Sequence, residues 1–216
     1  MEIADKVKRR LARYRRNVGM GWRYLNYATH NVRPWSYPHR MYLESTNACN
    51  LKCIMCPNGR GEMGRQRGYL DWDLFRQVVD EMAPHVSATT LHIWGEPLLH
   101  PRLPDMLAYC RQRGLRAEIS TNGVLLDEAM SRALLQSRPA AIYIGMDGMT
   151  RETYEQVRRQ ADFDATVANI RRFLQLKTEG GYAEPFVNLQ IIEMGPTQQE
   201  IEAFRRQWQV PGVDRV

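Results

Sequence analysis

Three of the four cysteines in this 216-residue chain fall within eight residues, in the run Cys49-Asn-Leu-Lys-Cys53-Ile-Met-Cys56. A Cys-x3-Cys-x2-Cys spacing lets one loop wrap a metal centre, and clustered thiolates suit zinc or an iron–sulfur cluster. An odd group of three, with no apolar secretory segment among residues 1–16, argues against a disulfide framework. Structural zinc asks for four protein ligands, and His92 or His100 could complete a Cys3His set. Three thiolates on a four-iron cluster would instead leave one iron open to an outside ligand. The fourth cysteine, Cys110, lies on the stripe Leu103, Met106, Leu107 and Cys110, which points it into the core as a packed thiol.

Four further runs carry small or polar residues: Trp94-Gly95-Glu96-Pro97, Ser120-Thr121-Asn122-Gly123, Gly145-Met146-Asp147-Gly148 and Glu193-Met194-Gly195-Pro196. Each follows a β-type segment, and loops after strand C-termini build the active sites of parallel α/β folds. Taken singly they have plain structural readings. Asn122-Gly123 and Asp147-Gly148 are turn pairs, Glu96 a capping carboxylate, Arg158 a solvated helix arginine and His92 a core histidine. Their convergence on one rim is the stronger signal.

The elements that position these loops alternate. β-type segments are expected at 41–45, 89–94, 116–120, 140–146 and 186–193, and helices at 71–83, 103–113, 127–136, 164–177 and 197–208. The first of those helices is expected to bury Leu74, Val78, Val79 and Met82. Residues 213–216 look like a sixth strand just starting. Strand–helix alternation predicts an α/β fold with a parallel sheet. A complete eight-unit barrel takes about 250 residues, so a partial barrel is expected, cut short near its sixth strand.

The formal charge of +6 is unevenly spread. Residues 1–33 hold nine basic side chains against Glu2 and Asp5, whereas the remainder is close to neutral. A nucleic-acid-binding domain would spread positive charge over a folded face, and none is expected here. Ile3, Val7, Leu11, Tyr14, Val18, Trp22 and Leu25 recur at helical spacing, which predicts a basic amphipathic helix. That helix could meet anionic lipid or an acidic partner; docking on the chain's own body is the preferred reading. Pro34 and Pro38 mark a linker, giving an arm at 1–40 and a core domain at 41–216. No apolar run is long enough to span a membrane, and the expected compartment is the cytoplasm.

The cysteine loop after a first strand, with Gly-Glu-Pro after the second, resembles the radical S-adenosylmethionine (SAM) superfamily from residue 41 onward. The runs Asn-Ala-Cys-Asn-Leu-Lys-Cys, Gly-Glu-Pro-Leu-Leu-His-Pro, Ser-Thr-Asn-Gly and Asp-Gly-Met-Thr-Arg-Glu-Thr-Tyr are similar to one branch of it. That branch holds SPASM-type peptide-modifying enzymes, the molybdenum-cofactor cyclase and the anaerobic sulfatase maturases. The resemblance implies a partial (β/α)6 barrel with a [4Fe–4S] cluster on Cys49, Cys53 and Cys56. It implies SAM on the open iron, cleaved reductively to a 5′-deoxyadenosyl radical that abstracts hydrogen from a peptide or small metabolite. A low-potential donor such as flavodoxin or ferredoxin would supply the electron.

Site roles follow from the same resemblance. Glu96 would accept hydrogen bonds from the SAM ammonium, with Gly95 allowing close backbone approach and Pro97 fixing the turn, and Ser120, Thr121 and Asn122 would face ribose or substrate. Arg158, a helical turn or two beyond the Asp147-Gly148 loop, would reach the SAM carboxylate, with Asp147 also at the cofactor; Met55 and Met194 would border the adenine. Trp94 replaces the first glycine of the family's Gly-Gly-Glu, and Gly145 replaces a common serine. No cysteine follows Cys110, so none remains for the auxiliary clusters of that branch. A non-catalytic or truncated iron–sulfur remnant, and a zinc-binding interaction module, are the competing expectations.

Overall fold

The computed structural model of the protein describes residues 19–34 and 36–216 and divides into two units, Met1–Arg40 and Met41–Val216. In the first unit, residues 19–28 form a helix, α1. Its end is tied locally: Thr29 Oγ1 donates to Leu25 O at 2.7 Å and Asn31 Nδ2 to Asn26 Oδ1 at 3.0 Å. Trp22 and Leu25 of the expected stripe are exposed. Ile3, Val7, Leu11, Tyr14 and Val18 lie outside the described residues. Among the described residues no helix is long and apolar enough to cross a membrane.

From Arg40 the chain runs β1 (Arg40–Tyr42), β2 (Lys52–Cys53), α2 (Trp72–Met82), β3 (Ala88–Thr90), α3 (Leu103–Gln112), β4 (Arg116–Thr121) and α4 (Glu128–Ser137). It continues through β5 (Ala141–Gly145), α5 (Arg151–Val157), β6 (Arg158–Arg159), α6 (Phe163–Glu179), β7 (Phe186–Gln190) and α7 (Ile201–Trp208). The five longer strands form one sheet in the order β1–β3–β4–β5–β7. From β3 onward they are parallel, with Thr89 opposite Ala117, Ile119 opposite Ile142 and Ile142 opposite Val187. The expected sixth strand is present as a parallel bridge from Arg215 to Asn188, with Leu189 N–H donating to Arg215 O at 3.0 Å.

Strand order therefore follows chain order without reversal. A doubly wound sheet changes direction at a switch point. A monotonic order with right-handed crossovers keeps the helices on one face and curls the sheet toward a barrel. The fold is thus the α/β partial barrel that the alternation predicted.

Short polar side chains start α2, α4, α5 and α6. Asp71 accepts from the N–H groups of Asp73 and Leu74, Asp127 from Met130, Thr150 from Thr153 and Asp162 from Ala165. The predicted stripe of α3 is correct: Leu103, Met106, Leu107 and Cys110 are fully buried. The expected face of α2 is correct at Val79 and Met82, which pack in the core, and wrong at Leu74. Phe75 and Val79 are buried, while Leu74 is 50% exposed. Trp72 stacks on Phe75 at 5.6 Å and meets Tyr109 of α3 at 5.7 Å, so aromatic packing sets the phase of the helix. Two features have no sequence pattern behind them: helix α5 and the antiparallel pair β2–β6. That pair sets Cys53 opposite Arg158.

Candidate functional site

The cysteine loop is fastened at its neck. After β1 the chain follows β3, Leu43 N–H donating to Thr90 O and Ser45 N–H to Leu91 O. Thr46 Oγ1 then donates to Gly68 O at 2.7 Å, and Asn47 Oδ1 accepts from Gly68 N–H at 2.8 Å. Asn58, just past the third cysteine, donates through Nδ2 to Asn47 O at 2.9 Å and to Trp94 O at 3.0 Å. The loop is closed by side-chain to backbone bonds rather than by a regular element, which is how irregular chain satisfies its polar groups.

All three cysteines in the loop are free thiols; Cys53 is buried, and Cys49 and Cys56 are half-buried. Cys49 Sγ accepts from Leu51 N–H at 3.5 Å. Burial pushes the Cys53 thiol up to about 11, with Arg158 opposing, and burial likewise raises Cys49. A metal centre reverses this tendency, because a coordinated thiol is held deprotonated. No three His, Cys, Asp or Glu side chains among the described residues converge as one metal ion requires. A cubane attaches each thiolate to a different iron and so accepts a wider triangle. His100 has both ring nitrogens engaged, Nε2 with Leu70 O and Nδ1 with Arg102 N–H. His92 Nδ1 accepts from Ser120 N–H at 2.8 Å. Three thiols on a closed loop, one already receiving an N–H bond, fit an iron–sulfur cluster.

The Gly-Glu-Pro run packs directly on this loop. A Cβ on Gly95 would stand 1.9 Å from Thr46 O, so only glycine allows the approach. Glu96 N–H donates to Ala48 O at 2.8 Å, next to Cys49. On the other side, Trp94 N–H donates to Glu44 Oε1 at 2.8 Å, while Glu44 Oε2 pairs with Arg65 at 2.9 Å. Pro97 opens the tight turn Pro97–Leu99, which Glu96 caps through Leu98 N–H.

The Glu96 carboxylate is buried and joins its own turn to the loop after β4. Oε1 accepts from Leu98 N–H and from Thr121 Oγ1, the latter at 2.8 Å; Oε2 accepts from Asn122 N–H at 2.8 Å. Burial raises its pKa, and these three donors oppose that rise. Asn122 Nδ2 in turn donates to Asn50 Oδ1 at 2.8 Å, inside the cysteine loop. Thr121 and Asn122 thus spend their polar atoms within the protein, whereas the Ser120 contribution to this network is its backbone N–H to His92.

Asp147 is fully buried and clamps Arg158. Its Oδ2 accepts from Arg158 Nε at 2.9 Å and from NH2 at 2.8 Å, and Oδ1 accepts from Ile192 N–H at 2.8 Å. Gly145 gives this guanidinium its place, since a Cβ there would lie 2.3 Å from NH2. The glycine that departs from the common serine is therefore explained by the arginine it accommodates. The NH1 edge of Arg158 has no protein partner among the described residues, and a carboxylate could meet it bidentately. Arg158 acts electrostatically on Cys49, Cys53 and Glu96.

The structure thus brings together Cys49, Cys53, Cys56, Gly95, Glu96, Pro97, Thr121, Asn122, Asp147 and Arg158. Met55 is half-buried within the loop, and Met194 is half-buried in the turn after β7, where its carbonyl accepts from Thr197 and Gln198 N–H. The hydrogen-bond network joining the other residues does not reach either methionine side chain among the described residues. Sequence reasoning missed Glu44, Asn47, Asn50 and Asn58. Asn58-Gly59, a turn pair two residues beyond Cys56, was the available signal.

Comparison with known proteins bears on the family. The family model described as radical SAM superfamily matches residues 43–194. The chain is 28% identical over 176 residues to the tungsten-containing aldehyde ferredoxin oxidoreductase cofactor-modifying protein of Pyrococcus furiosus, covering 81% of this chain and 49% of that one. It is 32% identical over 126 residues to the Fe-coproporphyrin III synthase of Methanosarcina barkeri, covering 58% and 31%. The chain thus spans half or less of the length of these relatives. Among solved structures, Streptococcus suis SuiB bound to precursor peptide SuiA aligns with a TM-score of 0.62 at 14% identity, over 78% of this chain and 37% of that one, a likeness of fold. With the family match covering most of its length, the chain belongs to the radical SAM superfamily, whose members use a [4Fe–4S] cluster and SAM.

Proposed function

We propose that this chain is the core of a radical SAM enzyme, with a [4Fe–4S] cluster on Cys49, Cys53 and Cys56 and SAM bound beside it. When bound, these groups supply reductive cleavage of SAM to a 5′-deoxyadenosyl radical for hydrogen abstraction. The observation that carries the reading is a pair of buried side chains of opposite charge against the cysteine loop: Glu96, whose N–H donates to Ala48 O beside Cys49, and Arg158, which stands opposite Cys53. An amino-acid head group presents an ammonium and a carboxylate, and it matches such a pair.

In this reading Glu96 accepts the ammonium and the open edge of Arg158 binds the carboxylate. Thr121 and Asn122 act through Glu96, which they hold in place, and Asp147 acts through Arg158. Gly95 and Pro97 shape the turn, Ser120 faces the ribose, and Met55 and Met194 border the adenine. The substrate is a peptide or a small metabolite, the electron comes from a low-potential donor such as flavodoxin or ferredoxin, and the enzyme works in the cytoplasm.

The test is anaerobic iron and sulfide reconstitution followed by dithionite and SAM. A brown protein that releases 5′-deoxyadenosine supports the proposal. A brown protein that releases none supports the non-catalytic reading, and a colourless protein retaining one zinc overturns the cluster assignment.

A further inference from the structure

We propose that the Asp147–Arg158 pair sets the reduction potential of the cluster on the cysteine loop, Arg158 acting as a fixed positive charge beside Cys53 and Asp147 as its counterweight. The inference rests on the cluster assignment above and adds to it a role for protein charges independent of SAM.

Three structural facts converge on this pair. The β2–β6 ladder sets Arg158 opposite Cys53, and Ile54 N–H donates to Val157 O at 3.0 Å, so the backbone of a cluster ligand is tied to the backbone of the arginine. The guanidinium cannot wander, because Asp147 holds Nε and NH2 while Ile192 N–H holds Asp147. Both side chains are withdrawn from solvent, Asp147 completely and Arg158 to 11% exposure. Charges placed in this way are poorly screened by salt and act strongly on their surroundings. Reduction adds an electron to the cluster, so a nearby positive charge favours the reduced form and a negative one the oxidised form; net charge is one of the quantities that set cluster potentials.

Gly145 offers a way to move the charge without removing it. A Cβ at this position meets the far end of the Arg158 side chain, a flexible group, and not backbone. Gly145→Ala should therefore displace the guanidinium and leave the sheet intact.

The test is a potentiometric titration of the reconstituted cluster, without SAM, followed by its electronic absorption or EPR signal. Arg158→Gln and Gly145→Ala should move the midpoint to more negative potential, Asp147→Asn to more positive, and Arg158→Lys should stay nearest the unmodified chain. The ordering should persist at high salt. A purely structural role would weaken cluster retention in all four without opposite shifts, and midpoints that coincide or move in one direction overturn the inference. If the unmodified chain takes up no cluster, the cluster assignment itself fails; that outcome is read from iron content before any variant is compared.

Discussion

Asn122 donates its main-chain N–H to Glu96 Oε2 at 2.8 Å and its side-chain amide to Asn50 Oδ1 at the same distance, so one residue joins the Gly-Glu-Pro turn to the cysteine loop. The carboxylate is thereby a structural hub as well as a candidate ligand for an ammonium group. Glu96→Gln keeps the shape but points an amide N–H₂ at a donor. If the amide nitrogen takes the Oε2 place, Asn122 N–H loses its acceptor; in the other flip, Thr121 Oγ1 and Leu98 N–H do. Leaving a buried donor unpaired costs about 1–3 kcal/mol. Chemical denaturation of Glu96→Gln should show a loss of that size, and SAM binding followed by calorimetry should weaken at least tenfold (about 1.4 kcal/mol).

Two glycines in neighbouring loops should respond in opposite ways. At Gly95 an added Cβ meets the Thr46 carbonyl, part of the backbone, whereas at Gly68 nothing lies within 4 Å. Gly95→Ala must therefore spread two loops and should cost about 3 kcal/mol, with loss of cluster uptake. Gly68→Ala should stay within about 0.5 kcal/mol of the unmodified chain. Equal melting temperatures for the two variants would contradict the packing described.

Cys110 tests the division of the cysteines. It is fully buried in α3, and burial alone pushes its thiol up to about 12. Cys110→Ala should leave iron content and the brown colour unchanged while costing about 1–2 kcal/mol for the lost sulfur contacts. Cys53→Ala should abolish the colour. Retention of a full cluster by Cys53→Ala would contradict its assignment as a ligand.

What the sequence made legible is what carries a local period or a short motif. The α3 stripe ending at Cys110 and the helix starts at 71 and 127 belong to this class, as does the terminal β-type segment that bridges to Asn188 at Arg215. Contacts that span the chain left no such trace. Glu44 reaches the N–H of Trp94 fifty positions later, and Asn122 reaches Asn50 across seventy-two. On α2 the inward turn of Phe75 in place of Leu74 was not legible, because Trp72, Phe75 and Tyr109 form an aromatic cluster and that partnership exists only once α2 and α3 are packed. Gly145 read as a departure from the family pattern. Its reason, room for Arg158, emerges only from the β2–β6 pairing and the Asp147 clamp.

His92 gives the site a measurable pH dependence. Burial lowers its pKa from the ordinary 6.5 to about 4, against the opposing pull of Glu118 and Glu44. Its Nδ1 must also stay unprotonated to accept from Ser120 N–H. Between these two values the unfolded chain takes up a proton that the folded chain refuses. Stability from this residue is therefore complete above pH 6.5 and falls as the pH drops toward 4, by at most about 3 kcal/mol. Asparagine can offer Oδ1 near the place of Nδ1 and does not titrate. The difference in unfolding free energy between His92→Asn and the unmodified chain should accordingly shift in favour of the variant as pH falls from 6.5 to 4, measured by urea denaturation. Parallel pH profiles for the two proteins would show that His92 is free to protonate in the folded state and that its bond to Ser120 does not hold it neutral.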